Sequence, residues 1–342
     1  MGVIENLNFG SLTVNRACDN RCNWCYAQNT GFSSEVLSRK MAKELVRLMS
    51  DIKVEDIAII GGEPTLYNDL FYVVELIHQE GMLSSMTTHG GRFSDKNYAK
   101  KIVDAGTKNI TVSLKGIDRE GYLQVTKRDG FNETCAGIKN LQERGLNPSL
   151  FITLGANEID EVEKTLEFMC SLETSDVTIS FANPVTMNGQ GCNMNAPNPE
   201  QIAKAYTKII NKIDGMIDNV FVSLSIPLCL LSPKIRATAI ARKSQTGTCF
   251  ARIGGGIIFS PSGEVIPCHH FTDSTLGKYG VDFYDAETFA EFWRGGMCSE
   301  FRSMMNYYPS EDCQDCIDWG HCFGGCPIKW FYFNPKNFIK RR

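Results

Sequence analysis

The sequence has no surplus of positive charge. Its 35 Lys and Arg are outnumbered by 39 Asp and Glu, for a formal net charge of −4. Binding to nucleic acid rests on neutralising phosphates, so no nucleic-acid partner is expected. Long apolar runs are also missing. The most apolar stretch, NVFVSLSIPLCLLSP at 219–233, is shorter than the roughly 20 residues of a spanning helix and contains Pro227, so no membrane is expected. The opening MGVIENLNFG lacks the basic and apolar regions of a secretory signal. Asn6 stands where the Met-Gly myristoylation pattern wants Ser or Thr. A cytoplasmic protein is expected. Its 342 residues suggest about two domains.

Cysteine, by contrast, is abundant, with fourteen residues. A disulfide scaffold is short and secreted, and this chain is neither, so clustered thiols point to metal or iron–sulfur binding. Two groups stand out: Cys18, Cys22 and Cys25 near the start, and Cys249, Cys268, Cys313, Cys316, Cys322 and Cys326 near the end. Cys135, Cys170, Cys192, Cys229 and Cys298 lie outside them. Free cysteine packs as a small hydrophobe, which is the expected role for most of these five.

Strand-like runs occur at 11–15, 56–60, 84–88, 109–114, 149–154 and 176–181. Amphipathic stretches separate them. One, at 33–49, sets Val36, Leu37, Met41, Leu45, Leu48 and Met49 on a single helical stripe. Six βα units in a row predict a parallel sheet with right-handed crossovers. They are fewer than the eight of a closed barrel. The fold class is therefore α/β: an open, partial (β/α)6 TIM-like barrel, followed by a small cysteine-rich α+β domain. The division is placed at 1–235 and 236–342. Within the first part, residues 187–199 read as a long loop, 200–216 as a helix and the region near 220–225 as a strand. Residues 232–248 read as a linking segment.

In open α/β sheets the working face lies at the strand C-termini. There the sequence sets Cys18, Cys22 and Cys25 after the first strand, Gly61-Gly62-Glu63-Pro64 after the second and His89-Gly90-Gly91 after the third. Ser113, Leu114, Lys115 and Gly116 end the fourth, Asn157 follows the fifth and Asn183 the sixth.

Three thiolates on one tight loop can converge on a single iron–sulfur cluster, whereas zinc sites usually draw paired CxxC knuckles from two segments. Cys18-x3-Cys22-x2-Cys25, with Trp24 before the third cysteine, resembles the signature of the radical S-adenosylmethionine (SAM) superfamily, and Gly61–Pro64 matches a second motif of that family. The resemblance covers roughly residues 11–185. It implies that Cys18, Cys22 and Cys25 ligate a [4Fe–4S] cluster whose open iron is chelated by SAM. It further implies that Gly61, Gly62, Glu63 and Pro64 form the SAM ammonium site and that Ser113 contacts the SAM carboxylate or ribose. Many relatives read Ser-Leu-Asp-Gly where this chain has Lys115, which could meet a carboxylate of SAM or substrate. Lys127 or Arg128 could reach the SAM carboxylate.

The C-terminal pattern is Cys249-x13-Gly263-x4-Cys268, a gap, then Cys313-x2-Cys316-x5-Cys322-x3-Cys326. SPSGEVIPC reads as a hairpin that delivers Cys268. This group resembles the SPASM extension, which carries up to two auxiliary [4Fe–4S] clusters. By resemblance, Cys249, Cys268 and Cys326 serve the first and Cys313, Cys316 and Cys322 the second. Relatives have a further cysteine after the position of Cys326 that this chain lacks, so each set is one ligand short. Cys298, Cys229, His269, His270, His321 or an open iron are the candidates, and a single shared cluster is an alternative. A histidine beside a cluster is more often a hydrogen-bond donor than a ligand.

The resemblance implies an enzyme that cleaves SAM to a 5′-deoxyadenosyl radical, abstracts a substrate hydrogen and completes an oxidative change (a thioether, a C–C crosslink or an oxidised residue) in a ribosomal peptide. Its implied partners are the peptide, an electron donor such as flavodoxin or ferredoxin, and a separate peptide-recognition protein, since only about ten residues precede the first strand. The alternative is a small-molecule dehydrogenase or epimerase, for instance on an aminoglycoside or sugar, for which Cys192 is a candidate hydrogen-atom donor. A non-catalytic iron–sulfur or zinc protein leaves Gly61–Pro64 and the six βα units unexplained.

Overall fold

The computed structural model describes residues 7–30, 33–213, 219–244, 249–271 and 274–339. Twelve strands are assigned among them: β1 (Phe9–Thr13), β2 (Asp56–Ile60), β3 (Leu83–Thr88), β4 (Asn109–Leu114), β5 (Ser149–Leu154), β6 (Val177–Phe181), β7 (Val185–Met187), β8 (Gln190–Cys192), β9 (Val220–Val222), β10 (Gly256–Phe259), β11 (Glu264–Ile266) and β12 (Gly277–Lys278). Ten of them form one open sheet in the order β12-β11-β10-β1-β2-β3-β4-β5-β6-β9. From β10 through β1 to β9 every pairing is parallel, and only β10–β11 and β11–β12 are antiparallel.

Alternation along the strands sorts side chains between two faces. In β2, Ile57 and Ile59 are fully buried; in β5, Leu150, Ile152 and Leu154 are buried. These join the apolar layer formed with the helices. Between them Ile60, Phe151 and Thr153 are half-buried and line a cleft on the opposite face. The expected hydrophobic stripe after β1 yields the helix Arg39–Asp51, N-capped by Ser38, whose hydroxyl accepts from the Met41 N–H at 3.2 Å. Leu45, Leu48 and Met49 are buried in it as expected, but Val36 and Leu37 precede the helix. Val36 instead bridges to Asn15.

Two segments differ from expectation. Residues 187–192 are not a loose loop: β7 and β8 form a hairpin turned by Asn188 and Gly189, both with positive φ. Thr186 bridges to Phe271 and donates its N–H to the His270 carbonyl at 2.8 Å, so the hairpin is docked on the C-terminal region. Within 232–248 a helix runs from Pro233 to Ala241, which includes residue 235. The SPSGEVIPC hairpin forms, with Gly263 at φ +82° between β10 and β11. Unforeseen is that β10 lies parallel to β1 in register Phe9↔Gly256 to Leu12↔Phe259, which makes the cysteine-rich region part of the main sheet. Among the described residues no helix is long and apolar enough to cross a membrane.

Candidate active site

The first cysteine loop begins where β1 and β2 are bound together beyond their ends. Gly62 donates to the Asn15 carbonyl at 3.0 Å, Glu63 to the Ala17 carbonyl at 2.7 Å, and Asn15 Nδ2 to the Glu63 carbonyl at 3.0 Å. A Cβ on Gly62 would sit 2.3 Å from the Ala17 carbonyl oxygen and 2.5 Å from that of Arg16, so backbone crowding alone demands glycine there. The loop is pinned from its other side: Arg21 and Asn23 donate their N–H groups to the carbonyls of Thr126 and Val125 at 2.7 and 3.0 Å. Cys18, Cys22 and Cys25 are thereby brought to one cleft with Asn20, Trp24, Tyr26, Ile60–Glu63, Thr87–His89, Ser113, Lys115, Phe151 and Thr153. The cleft has a volume of ≈ 210 Å³, just under the range of about 300–1,000 Å³ for small-molecule sites.

Burial pushes the Cys18 thiol up to about 12 and Cys22 up to about 11, and it raises Cys25 as well. Such thiols are poor thiolates unless a strong positive centre meets them. Lys115 is one cation close by. Its Nζ donates to Ser113 Oγ at 2.6 Å and lies 4.8 Å from the Trp24 ring centroid, over its face. Trp24 Nε1 and Asn20 Oδ1 are buried without a hydrogen-bond partner, a cost that a polar ligand in the cleft would relieve. The donor set and these unpaired groups fit a thiolate-held cluster with a polar cofactor beside it.

Glu63 is 1% exposed and heavily engaged. Its Oε1 accepts from Thr65 N, Thr65 Oγ1 and Thr88 Oγ1 at 3.0, 2.6 and 2.7 Å, and its Oε2 from His89 N at 2.9 Å. Buried carboxylates need such donors. One lone-pair position on Oε2 remains for a ligand. His89 Nε2 lies 2.8 Å from Asp19 Oδ1 and 3.4 Å from Glu63 Oε2. Burial alone would lower the His89 pKa, but Glu63 and Asp19 outweigh it and raise the value. Asp19 is held below the ordinary carboxylate range, at about 2: its burial works against this, and the His89 hydrogen bond, His89 charge and Arg128 overcome it.

Pro64 starts the turn after Glu63, and neither it nor Arg128 lines the cleft. Arg128 is paired with Glu133 and, at 3.4 Å, with Asp19. Lys127 is an exposed helix end with φ 61°. Cys192, on β8, also lies outside the cleft lining. Asp19, Thr65, Thr88 and the role of His89 were not anticipated. The available signal was polar residues at the ends of otherwise apolar strands.

The C-terminal cysteines separate into two sets. Cys268 and Cys326 are held up at about 12 and about 11, by burial first and then by the charges of each other and Cys249 for Cys268, and of Cys249 for Cys326. Cys313 is raised by burial first, with Cys322 and Cys316 adding to it, and Cys322 by burial first, with Cys316 adding to it. Cys229 is raised to about 11, by burial first and then by the charges of Cys322, Cys313 and Cys316. Cys298 is in the apolar core beside Phe301 and Trp293, apart from both sets, with Arg302 as its charged neighbour. Among the described residues no three His, Cys, Asp or Glu side chains stand close enough to chelate one metal ion. Arg252 is 4% exposed and its Nη1 has no hydrogen-bond partner; burial lowers its pKa, and Cys249, Cys326 and Cys322 oppose that. Lys329 is fully buried against Cys326 and donates to the Ala182 carbonyl at 3.4 Å. Buried cations of this kind call for anionic neighbours, which fits iron–sulfur clusters held by thiolates.

His321 is exposed. His270 Nδ1 lies 3.7 Å from Cys268 Sγ. His269 stacks on Tyr26, with ring centroids 5.0 Å apart and planes at 24°. Tyr26 follows Cys25 and His269 follows Cys268, so this stack joins the first cysteine loop to the C-terminal region. Burial lowers His269 to about 3 and His270 to about 4, so both rings are neutral near pH 7.

Residues 12–169 match the Radical SAM superfamily. By that match this part of the chain is similar to the radical SAM domain. Relatives by sequence include a probable GTP 3′,8-cyclase of Saccharolobus islandicus, 29% identical over 51% of this chain and 56% of its own length. Another, of Metallosphaera sedula, is 28% identical over 59% of this chain and 63% of its own length. The chain thus spans less than two thirds of the length of either relative. Similar folds include anSMEcpe with bound AdoMet (TM-score 0.75, 17% identity, 94% of this chain and 89% of that one). Streptococcus suis SuiB bound to precursor peptide SuiA is another (TM-score 0.71, 15% identity, 95% and 73%). At these identities the likeness is one of fold.

Proposed function

We propose that this chain is a radical SAM enzyme that carries out an oxidative modification of a ribosomal peptide, with a SPASM-type cluster-binding module at 236–342 serving a barrel at 1–235. The observation that carries this is the contact between the two cysteine regions: Tyr26, next to Cys25, stacks on His269, next to Cys268. Auxiliary thiols beside the SAM cleft suit chemistry that must remove a second electron from substrate. The peptide-bound SuiB fold, shared over 95% of this chain, supports a peptide as that substrate.

In this function Cys18, Cys22 and Cys25 ligate the SAM cluster. Gly61 and Gly62 bring backbone close to SAM, Glu63 offers its free lone pair to the SAM ammonium, and Ser113 with Lys115 faces the carboxylate or ribose. Cys249, Cys268 and Cys326 serve one auxiliary cluster and Cys313, Cys316 and Cys322 another. Together the bound groups supply a 5′-deoxyadenosyl radical to take a hydrogen atom and an acceptor for the remaining electron. Trp24, Tyr26 and Phe151 wall the cleft with apolar surface that excludes water. A low-potential donor such as flavodoxin or ferredoxin, a separate peptide-recognition protein and a cytoplasmic setting complete the proposal.

A small-molecule substrate is the second reading, favoured by the nucleotide-cyclase names of the sequence relatives. Mass spectrometry of candidate peptides co-expressed with the enzyme separates the two. Loss of two hydrogens from the peptide, with 5′-deoxyadenosine formed from SAM, is the expected result. Unmodified peptides together with turnover of a nucleotide or sugar would overturn the peptide assignment.

A further inference from the structure

The pattern cysteines leave the Cys313, Cys316 and Cys322 set one ligand short, and residues 327–342 contain no cysteine. A segment far earlier in the chain is built onto this set. Leu228 donates its backbone N–H to Cys322 Sγ at 3.2 Å, in a buried contact between residues 94 apart in sequence. Cys326 donates its N–H to the Ser225 carbonyl at 3.1 Å. Gly325 has φ +77°, and a Cβ there would lie 2.9 Å from backbone atoms of both Ile226 and Ser225, so glycine is what lets the two backbones touch. Farther along, Arg236 Nη1 pairs with Asp318 Oδ2 at 2.9 Å, both groups partly buried. Four contacts of different kinds thus fix residues 225–236 against the loop that carries Cys316, Cys322 and Cys326.

Cys229 sits in the middle of that fixed segment. Pro227 begins a single turn, Leu228–Leu230, and Leu228 and Leu231 are buried at 0% and 1% exposure, which anchors the turn on either side of Cys229. Among the thiols of the second set, Cys322, whose sulfur the neighbouring Leu228 N–H contacts, acts on Cys229 most strongly. Ser225 Oγ is buried with no hydrogen-bond partner, a spare donor of the kind that tunes cluster sulfurs.

Building on the function proposed above, we propose that Cys229 is the fourth thiolate of the Cys313, Cys316 and Cys322 cluster, which makes that cluster fully protein-ligated. The site at Cys249, Cys268 and Cys326 has three thiolates only. The two auxiliary sites are then unequal: one coordinatively closed and suited to passing electrons, the other with an iron left to a different ligand.

The test uses the full chain purified and reconstituted without oxygen. Cys229→Ala is expected to lose about four iron and about four sulfide per chain, the content of one [4Fe–4S] cluster, while Cys298→Ser keeps the wild-type content. Full iron and sulfide in Cys229→Ala overturns the assignment. A second measurement needs no variant. In the holoprotein Cys229 should resist alkylation and become labelled together with Cys313, Cys316 and Cys322 once iron is chelated. Labelling of Cys229 while those three stay protected, or protection that outlasts iron removal, refutes it. Release of 5′-deoxyadenosine is followed in the wild type. If wild type itself releases none, the functional proposal fails, and the iron counts and alkylation pattern still decide the role of Cys229.

Discussion

The two thiol-rich ends of this chain are built in opposite ways. Cys18, Cys22 and Cys25 come from one loop at the end of one strand, held by its immediate neighbours β2 and the helix Arg119–Thr126. The Cys313–Cys326 loop is completed by residues 225–236 from before β10, and Arg252 reaches into it to donate to the Gly325 carbonyl at 3.4 Å. A local loop can present donors with a vacancy left for a small molecule. A long-range assembly can close the coordination and shield it.

The strongest way to break the comparison is to remove the local loop. Cys18→Ala, Cys22→Ala and Cys25→Ala together should abolish 5′-deoxyadenosine release while removing only about four iron per chain. Loss of all iron would show that the two ends do not assemble independently. Next is His89→Ala, which strips a buried partner from Glu63 and should cost about 3–5 kcal/mol of stability, measured by chemical unfolding at pH 6. The folded-state pKa of His89 is raised above 6.5. A raised histidine contributes stability that is full below the unfolded value and is lost as pH climbs through the folded one. The gap between wild type and His89→Ala should therefore narrow with rising pH; a constant gap would show that His89 is not charged.

Gly62→Ala tests the junction under the cleft. With carbonyl oxygens at 2.3 and 2.5 Å, the new methyl must displace backbone, at about 1–3 kcal/mol, and SAM affinity by equilibrium binding should fall with it. Unchanged affinity and unchanged melting would mean that the loop has room to yield. The smallest effect is expected from Arg236→Ala, which removes a partly exposed ion pair worth about 1 kcal/mol or less. It should leave SAM binding intact and speed iron loss only from the C-terminal set, followed by absorbance during chelation.

The same contrast sets what could be read from the sequence. The cleft was legible because the residues that line it follow parallel strands, whose apolar runs match the observed strands within two residues even at the poorest case, β1. That case has a cause: Asn15 leaves the strand to bond Glu63 and bridge Val36. The β7–β8 hairpin carried a usable sign, Asn188-Gly189, the preferred pair for a two-residue turn. Pro233 after Ser232 likewise marked a helix start, but that helix buries only Ile235 and Ala239 and shows little stripe. The docking of Cys229 had no local sign at all, because spacing says nothing about a donor brought in across 94 residues of separation. The Asp19–His89–Glu63 network was hidden for the same reason: its three members follow three different strands.

The parallel register of β10 on β1 bears on how such modules can be exchanged. Phe9 faces Gly256 and Leu12 faces Phe259 across that edge, and a slip of one residue would turn every β10 side chain to the opposite face. A grafted C-terminal module would therefore have to match the hydrogen-bonding edge of its host barrel, residue for residue. Linker length would matter little, and compatibility between barrels and modules becomes a question of strand alignment.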